Sequence, residues 1–200
     1  MAFDQTLLDR IAVSLRTARA SLTPDSPGEA RAAVASVTAK DSILSRAAEL
    51  YGAQPDAEKT PPTGFDPAAA ALFEALVEGA YLVAHADGEF DADERTAFEQ
   101  VVLIATNGRV GPDQLGALLA DLEQLLGEDG LEKRIQVVSK TVAKPEQQRE
   151  VLRVAALIGY ISGGVSEVEH DAMAKLATGF GLEASAVDRA VEEARSALGG

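Results

Sequence analysis

The stretch LVEGAYLVAHADGEFDADERTAF, residues 76–98, runs from an apolar, helix-patterned segment through a glycine into an acidic, helix-patterned one. Gly88 lies where a helix end favours a left-handed residue, a conformation that glycine adopts without a Cβ penalty. Asp91 is a good N-cap for the second segment, and Glu94, three residues on, can accept a hydrogen bond from its amide. The stretch therefore predicts a corner between two helices.

A second copy of this stretch follows 75 residues later in the chain. The segment VLRVAALIGYISGGVSEVEHDAM, residues 151–173, is identical to the first at five of 23 positions. The matches include Gly88 with Gly163 and Glu94 with Glu169. In each copy a short loop and a third predicted helix follow the corner. Two such halves predict a pseudo-symmetric bundle of two helix-turn-helix-loop-helix units.

The remainder of the chain also has helical patterns. Turn-forming stretches such as NGRVGPD and GEDG separate apolar segments with three- and four-residue steps, and Pro145 opens a long helix that ends near Ser162. No stretch alternates polar and apolar residues over the length of a strand. The predicted fold class is all-α.

The chain is predicted to have two parts. Residues 53–66, AQPDAEKTPPTGFD, combine several turn-formers with no periodicity, as a linker does. We interpret residues 1–62 as a helical extension, a hairpin with its linker, and residues 63–200 as the principal domain. The alanine-rich hairpin either packs locally or docks a partner, and a homo-oligomer could form through residues 1–52.

Composition excludes several classes of function. The chain has no Cys, no Trp and two His, which removes thiolate metal sites, disulfides and cysteine nucleophiles. Neither a nucleophilic triad nor a phosphate-binding loop has its parts, so we expect no enzyme. The longest uncharged stretch, around residues 154–165, is shorter than the roughly 20 residues that span a bilayer. Without a signal-peptide pattern at the amino terminus, we expect a cytoplasmic protein.

The net charge is −14, and it is concentrated in the second part of the chain. Residues 63–200 carry 24 acidic and 11 basic side chains, whereas residues 1–62 carry 8 and 7. Such a surface repels phosphate backbones, so we expect no nucleic-acid partner. Basic protein surfaces and cations are the counterparts that this charge predicts.

The first corner gathers acids that the second corner lacks. Asp87 and Glu89 correspond to Ser162 and Gly164 in the second copy, so the corner itself does not require them. Two interpretations stay open: a capped corner with solvated acids, or a site for a divalent cation such as Ca²⁺ or Mg²⁺ that relieves their repulsion. An EF-hand loop is excluded, since its sixth and twelfth positions would need Gly and Glu and Ala92 and Phe98 occupy them.

The first corner and its second copy resemble a motif of a known protein family. The motif AHADGEFDADE, residues 84–94, after an apolar helix and with a degenerate second copy, is similar to the TerB-like (tellurite resistance TerB) domain. The resemblance implies an all-helical domain of two similar halves, a role in bacterial tellurite and chemical stress systems, and acidic clusters that bind metal. The family's acidic turn carries over to four residues of this chain, Asp87, Glu89, Asp91 and Glu94.

Together these observations predict a non-enzymatic stress-response module whose acidic surface recruits a protein partner, either basic or membrane-associated. The domain would then lie in the cytoplasm or at the inner face of the membrane. The alternative is a divalent-cation sensor or buffer that uses residues 87–94. A metal-dependent hydrolase is disfavoured, because the acids lie in one contiguous loop instead of coming from several elements around a cleft.

Four further sets of residues are interpreted as surface features. His85, one helical turn from the acids, and His170, in a first helical turn, are expected to be surface residues without a functional role. The carboxylate pairs Glu123/Glu128 and Glu192/Glu193 are expected to form solvated helix faces.

Overall fold

The computed structural model describes residues 67–199 except 89, 91, 107 and 108. This part of the chain contains no strand and seven helices: α1 (Pro67–Ala84), α2 (Ala92–Ala105), α3 (Pro112–Asp129), α4 (Leu131–Thr141), α5 (Pro145–Ser162), α6 (Glu167–Phe180) and α7 (Ser185–Gly199). The all-α prediction is confirmed. The predicted extension at residues 1–62 and its boundary with the principal domain lie outside the described residues.

Helices α1 and α5 form the centre of the bundle. Helix α5 packs against α1, α2, α6 and α7, and α1 also contacts α3, α4 and α6. Gly79 marks the crossing of the two central helices, because a Cβ added there would lie 2.5 Å from Cγ1 of Val151. The absence of a side chain at this position lets α1 approach α5 closely.

The second predicted corner is present with its capping residues. Gly163 has a positive φ of 135°, and Ser166 caps α6 by accepting a hydrogen bond from the Glu169 amide at 3.2 Å. The Glu169 carboxylate accepts in return from the Ser166 amide at 2.7 Å, which completes the predicted capping box.

The first corner is described only in part. Gly88 has a φ of 88°, as predicted, whereas the proposed N-cap, Asp91, lies outside the described residues. The order helix, turn, helix, loop, helix occurs in α1–α3 and again in α5–α7, with α4 between them. The pseudo-symmetry of the two halves in space stays a prediction.

A buried ion pair joins α1 to the junction of α3 and α4. The Arg134 Nε donates to Oε1 of Glu78 at 2.6 Å, and its Nη1 donates to Oδ2 of Asp129 at 3.2 Å. Glu78 is only 6% exposed and Arg134 9%. The hydrogen bond to Glu78 is the main cause that raises the pKa of Arg134.

Within the described helices, none is both long and apolar enough to cross a lipid bilayer.

Candidate functional site

The acidic turn follows α1 and leads into α2. Asp87 is exposed in this turn, and Glu94 is half-buried in the first turn of α2. The structure therefore brings these two predicted residues to one corner. The other two, Glu89 and Asp91, lie outside the described residues, so their arrangement stays a prediction.

The described part of the turn does not by itself make a metal site. No group of three or more potential ligand residues is found among the described residues. Calcium takes about 6–8 oxygen ligands and magnesium needs an octahedral set, which Asp87 and Glu94 cannot supply alone. The cation-site hypothesis thus depends on Glu89 and Asp91.

An aromatic cluster lies beneath the turn. The Tyr81 ring contacts His85, Phe90 and Phe98 edge-on, with centroid distances of 5.6, 5.4 and 6.2 Å. The His85 and Phe90 rings are stacked at 6.2 Å with an interplanar angle of 21°. Phe90, the only apolar side chain in the turn after Ala86, therefore anchors the turn to the core, as its position in the sequence suggests.

His85 differs from its expected role as a surface residue. It is half-buried, because the stack with Phe90 covers one face of its ring. His85 directly follows α1, and its amide donates to the Tyr81 carbonyl oxygen at 3.0 Å as in a helix. The four-residue spacing therefore places both side chains on one face, which is the sequence signal that could have placed His85 in this cluster.

A cleft of about 210 Å³ opens beside the aromatic cluster. It lies between the end of α1, the start of α2 and the middle of α3. The described residues that line it are Tyr81, His85, Phe90, Arg95, Leu119 and Glu123. The lining therefore combines three aromatic rings, one aliphatic side chain, one acidic and one basic side chain.

The two charged groups of the cleft have different surroundings. The Arg95 Nε donates to Oε1 of Glu99 at 3.1 Å, an ion pair within α2. Glu123 is exposed on α3 and forms no ion pair with any residue that the structure describes. Burial raises the pKa of the Tyr81 hydroxyl, the negative charge of Glu123 raises it further, and Arg95 opposes them. The Tyr81 hydroxyl thus lies within the field of both charges.

Helices α1 and α3 contain acids but no Lys or Arg. Five of their acids are exposed, and together they define the α1–α3 acidic surface: Glu74, Asp113, Asp121, Glu123 and Glu128. The pKa of Glu74 is raised first by burial and then by the negative charges of Asp121 and Glu78. Glu74 and Asp121 of this surface therefore repel each other.

Comparison with protein-family models identifies the family of this chain. A family model described as tellurite resistance protein TerB matches residues 73–192, more than half of the chain. The chain belongs to the TerB family. The match confirms the resemblance noted from the acidic motif. No curated protein and no solved structure shows significant similarity to the chain.

The matched range of the TerB domain begins within α1 and ends within α7. It includes the acidic turn, the aromatic cluster and the cleft. The sequence predicted only the turn, since the motif is local. The cleft also needs Leu119 and Glu123, which come from a helix that no short motif connects to the turn.

The second half of the TerB domain differs from expectation at one carboxylate pair. Glu192 is exposed as expected, but Glu193 is half-buried because Arg153 of α5 forms an ion pair with it. Nε2 of His170 lies 3.4 Å from Oδ1 of Asp188. These contacts tie α7 to α5 and α6, which is a structural role.

Proposed function

We propose that this TerB domain is a non-enzymatic interaction module of a tellurite-resistance-type stress response, and that its acidic surface recruits a protein partner with a basic segment. The observation that carries the proposal is the α1–α3 acidic surface, which two neighbouring helices build without one basic residue. Partial burial and then the negative charges of Asp121 and Glu78 raise the pKa of Glu74, and a basic partner would relieve the repulsive part of this effect.

We assign no reaction to this surface. Its acids lie on exposed helix faces, whereas a catalytic site gathers side chains from several elements around a substrate. The domain would act in the cytoplasm, and a membrane-associated partner would hold it at the inner face of the membrane. Association through charge alone gives fast but salt-sensitive binding.

Neutralising the acidic surface away from the cleft is expected to abolish recruitment. The variant is Glu74→Gln/Asp121→Asn/Glu128→Gln in the full chain, and the control Glu167→Gln/Asp171→Asn/Glu183→Gln removes the same charge from exposed acids on or near α6. Immobilised chains are incubated with lysate from the host cells grown with tellurite, and captured proteins are quantified by mass spectrometry. We expect proteins with basic segments to bind the wild type and the control and to fall by about tenfold or more with the surface variant.

The salt dependence of protein capture is a second test of recruitment by charge. In about 1 M NaCl, where the screening length is about 3 Å, capture by the wild type should also be lost. Recruitment by the acidic surface is contradicted if the surface variant captures the same proteins as the wild type. It is also contradicted if the control variant loses these proteins to the same extent as the surface variant.

The alternative function, a cation sensor or buffer, rests on the positions of Asp87 in the turn and Glu94 in the first turn of α2. Calorimetric titration with Ca²⁺ and Mg²⁺ separates it from the main proposal. Recruitment alone predicts that the wild type and Asp87→Ala/Glu89→Ala give the same heats, without saturation. Saturable heat that the double variant lacks, and that the matched control Glu167→Ala/Asp171→Ala keeps, would establish the cation site instead.

A further inference from the structure

The cleft beside the acidic turn has the chemistry of a site for one organic cation. Glu123 forms no ion pair with any residue that the structure describes, while Arg95, whose side chain also lines the cleft, is already paired with Glu99. The aromatic lining includes the rings of His85 and Phe90, two residues that are partly exposed. Carboxylate and aromatic faces together are the two groups that bind a guanidinium best.

We propose that this cleft receives the side chain of one arginine of the partner protein. The guanidinium forms a two-point ion pair with the Glu123 carboxylate and stacks on the rings of His85 and Phe90. A lysine ammonium would satisfy the carboxylate but not the stack, because it is compact and strongly hydrated, whereas a guanidinium is planar and weakly hydrated.

The size of the cleft favours a side chain over a free metabolite. Its volume is about 210 Å³, while pockets for drug-sized ligands span about 300–1,000 Å³. A single side chain fills a small open cleft of this kind and leaves the partner's backbone outside it. The α1–α3 acidic surface, to which Glu123 belongs, would then face the basic residues that flank the arginine.

This inference rests on the proposed function and adds to it the residue type that the partner inserts. Recruitment by charge alone would not distinguish arginine from lysine. The cleft makes that distinction, since only a planar cation can both pair with the carboxylate and stack on the aromatic rings.

The test is an NMR titration of the isotope-labelled full chain with acetyl-arginine amide. We expect saturable shifts of the backbone amides of Tyr81, His85, Phe90 and Glu123, with a dissociation constant on the order of 1 mM for a ligand of this size. Acetyl-lysine amide should bind at least about threefold more weakly, and acetyl-norleucine amide should cause no saturable shift.

Variants separate the contribution of the carboxylate from that of the aromatic rings. Glu123→Gln should raise the dissociation constant of acetyl-arginine amide by about fivefold or more, and Phe90→Leu by about two- to fivefold. Glu132→Gln is the matched control, because Glu132 is exposed on α4 and belongs neither to the α1–α3 acidic surface nor to the residues that line the cleft. It should leave the constant unchanged. Glu123 is exposed, so its substitution does not threaten folding.

Three results would overturn the assignment: no saturable shift at the cleft, shifts that Glu123→Gln leaves unchanged, or lysine amide binding as tightly as arginine amide. None of them bears on recruitment by the acidic surface, which is measured with a variant that retains Glu123. Failure of the cleft and failure of the proposed function are therefore distinguishable.

Discussion

Replacing Arg134 by Met is expected to lower the free energy of unfolding by about 3–5 kcal/mol. The substitution keeps most of the side-chain volume but removes the guanidinium that donates to Glu78 at 2.6 Å. The Glu78 carboxylate, 6% exposed, is then left inside the bundle without its cationic donor. Loss of one partner from a buried pair costs far more than the pair contributes, because the remaining charge stays desolvated.

Urea denaturation followed by circular dichroism measures this effect. The control is Lys133→Met, since Lys133 bonds to the same Asp129 at 2.5 Å but its side chain is 65% exposed. An exposed pair of this kind is worth about 0–1 kcal/mol. The double variant Glu78→Leu/Arg134→Met should recover most of the loss, because neither charge is then buried. Equal losses for Arg134→Met and Lys133→Met would show that the Glu78 pair is solvated in solution.

The helices and their ends could be predicted from the sequence because the signals are local. A glycine with positive φ, such as Gly163, and a capping box, such as Ser166 with Glu169, act over three or four residues. Pro145 likewise opens α5 at the predicted position. These signals need no knowledge of the rest of the fold, and they also carried the resemblance to the TerB family.

The contacts between helices could not be predicted in this way. Glu78 and Arg134 are 56 positions apart, and nothing in either helix pattern pairs them. Helical periodicity shows which face of a helix is buried but not which helix covers it. Glu193 was therefore expected in solvent, and the structure shows it paired with Arg153 across two helices.

The candidate site likewise has one part that could be predicted from the sequence and one part that could not. The acidic turn was evident, since its carboxylates all lie within the eight positions 87–94. The cleft beside it was not, because Glu123 meets Tyr81 only where α3 packs against α1. His85 was assigned to the surface for a related reason: its stack with Phe90 depends on the path of the turn between them.

Replacing Phe98 by Ala should lower the free energy of unfolding by about 3–5 kcal/mol. Phe98 is fully buried, and its ring packs edge-on against Tyr81 and Phe90, with centroid distances of 6.2 and 5.9 Å. Deleting it removes the transfer energy of the ring and leaves a cavity beneath the turn. Phe90→Ala is the matched control, since Phe90 is half-buried and can lose its ring with less cavity. A smaller loss, of about 1–2 kcal/mol, is expected there.

Phe98 is expected to affect ligand binding in the cleft as well as the stability of the fold. Phe98 does not line the cleft, but it supports two rings that do. Phe98→Leu conserves most of the volume and should cost less than Phe98→Ala, so the chain stays folded while the support under Tyr81 and Phe90 loosens. We therefore expect Phe98→Leu to weaken acetyl-arginine amide binding by about twofold, whereas Leu152→Met, a volume-conserving change at another fully buried position, should not. Equal binding by both variants, with the expected stability loss for Phe98→Ala, would show that the cleft is held by its lining residues alone.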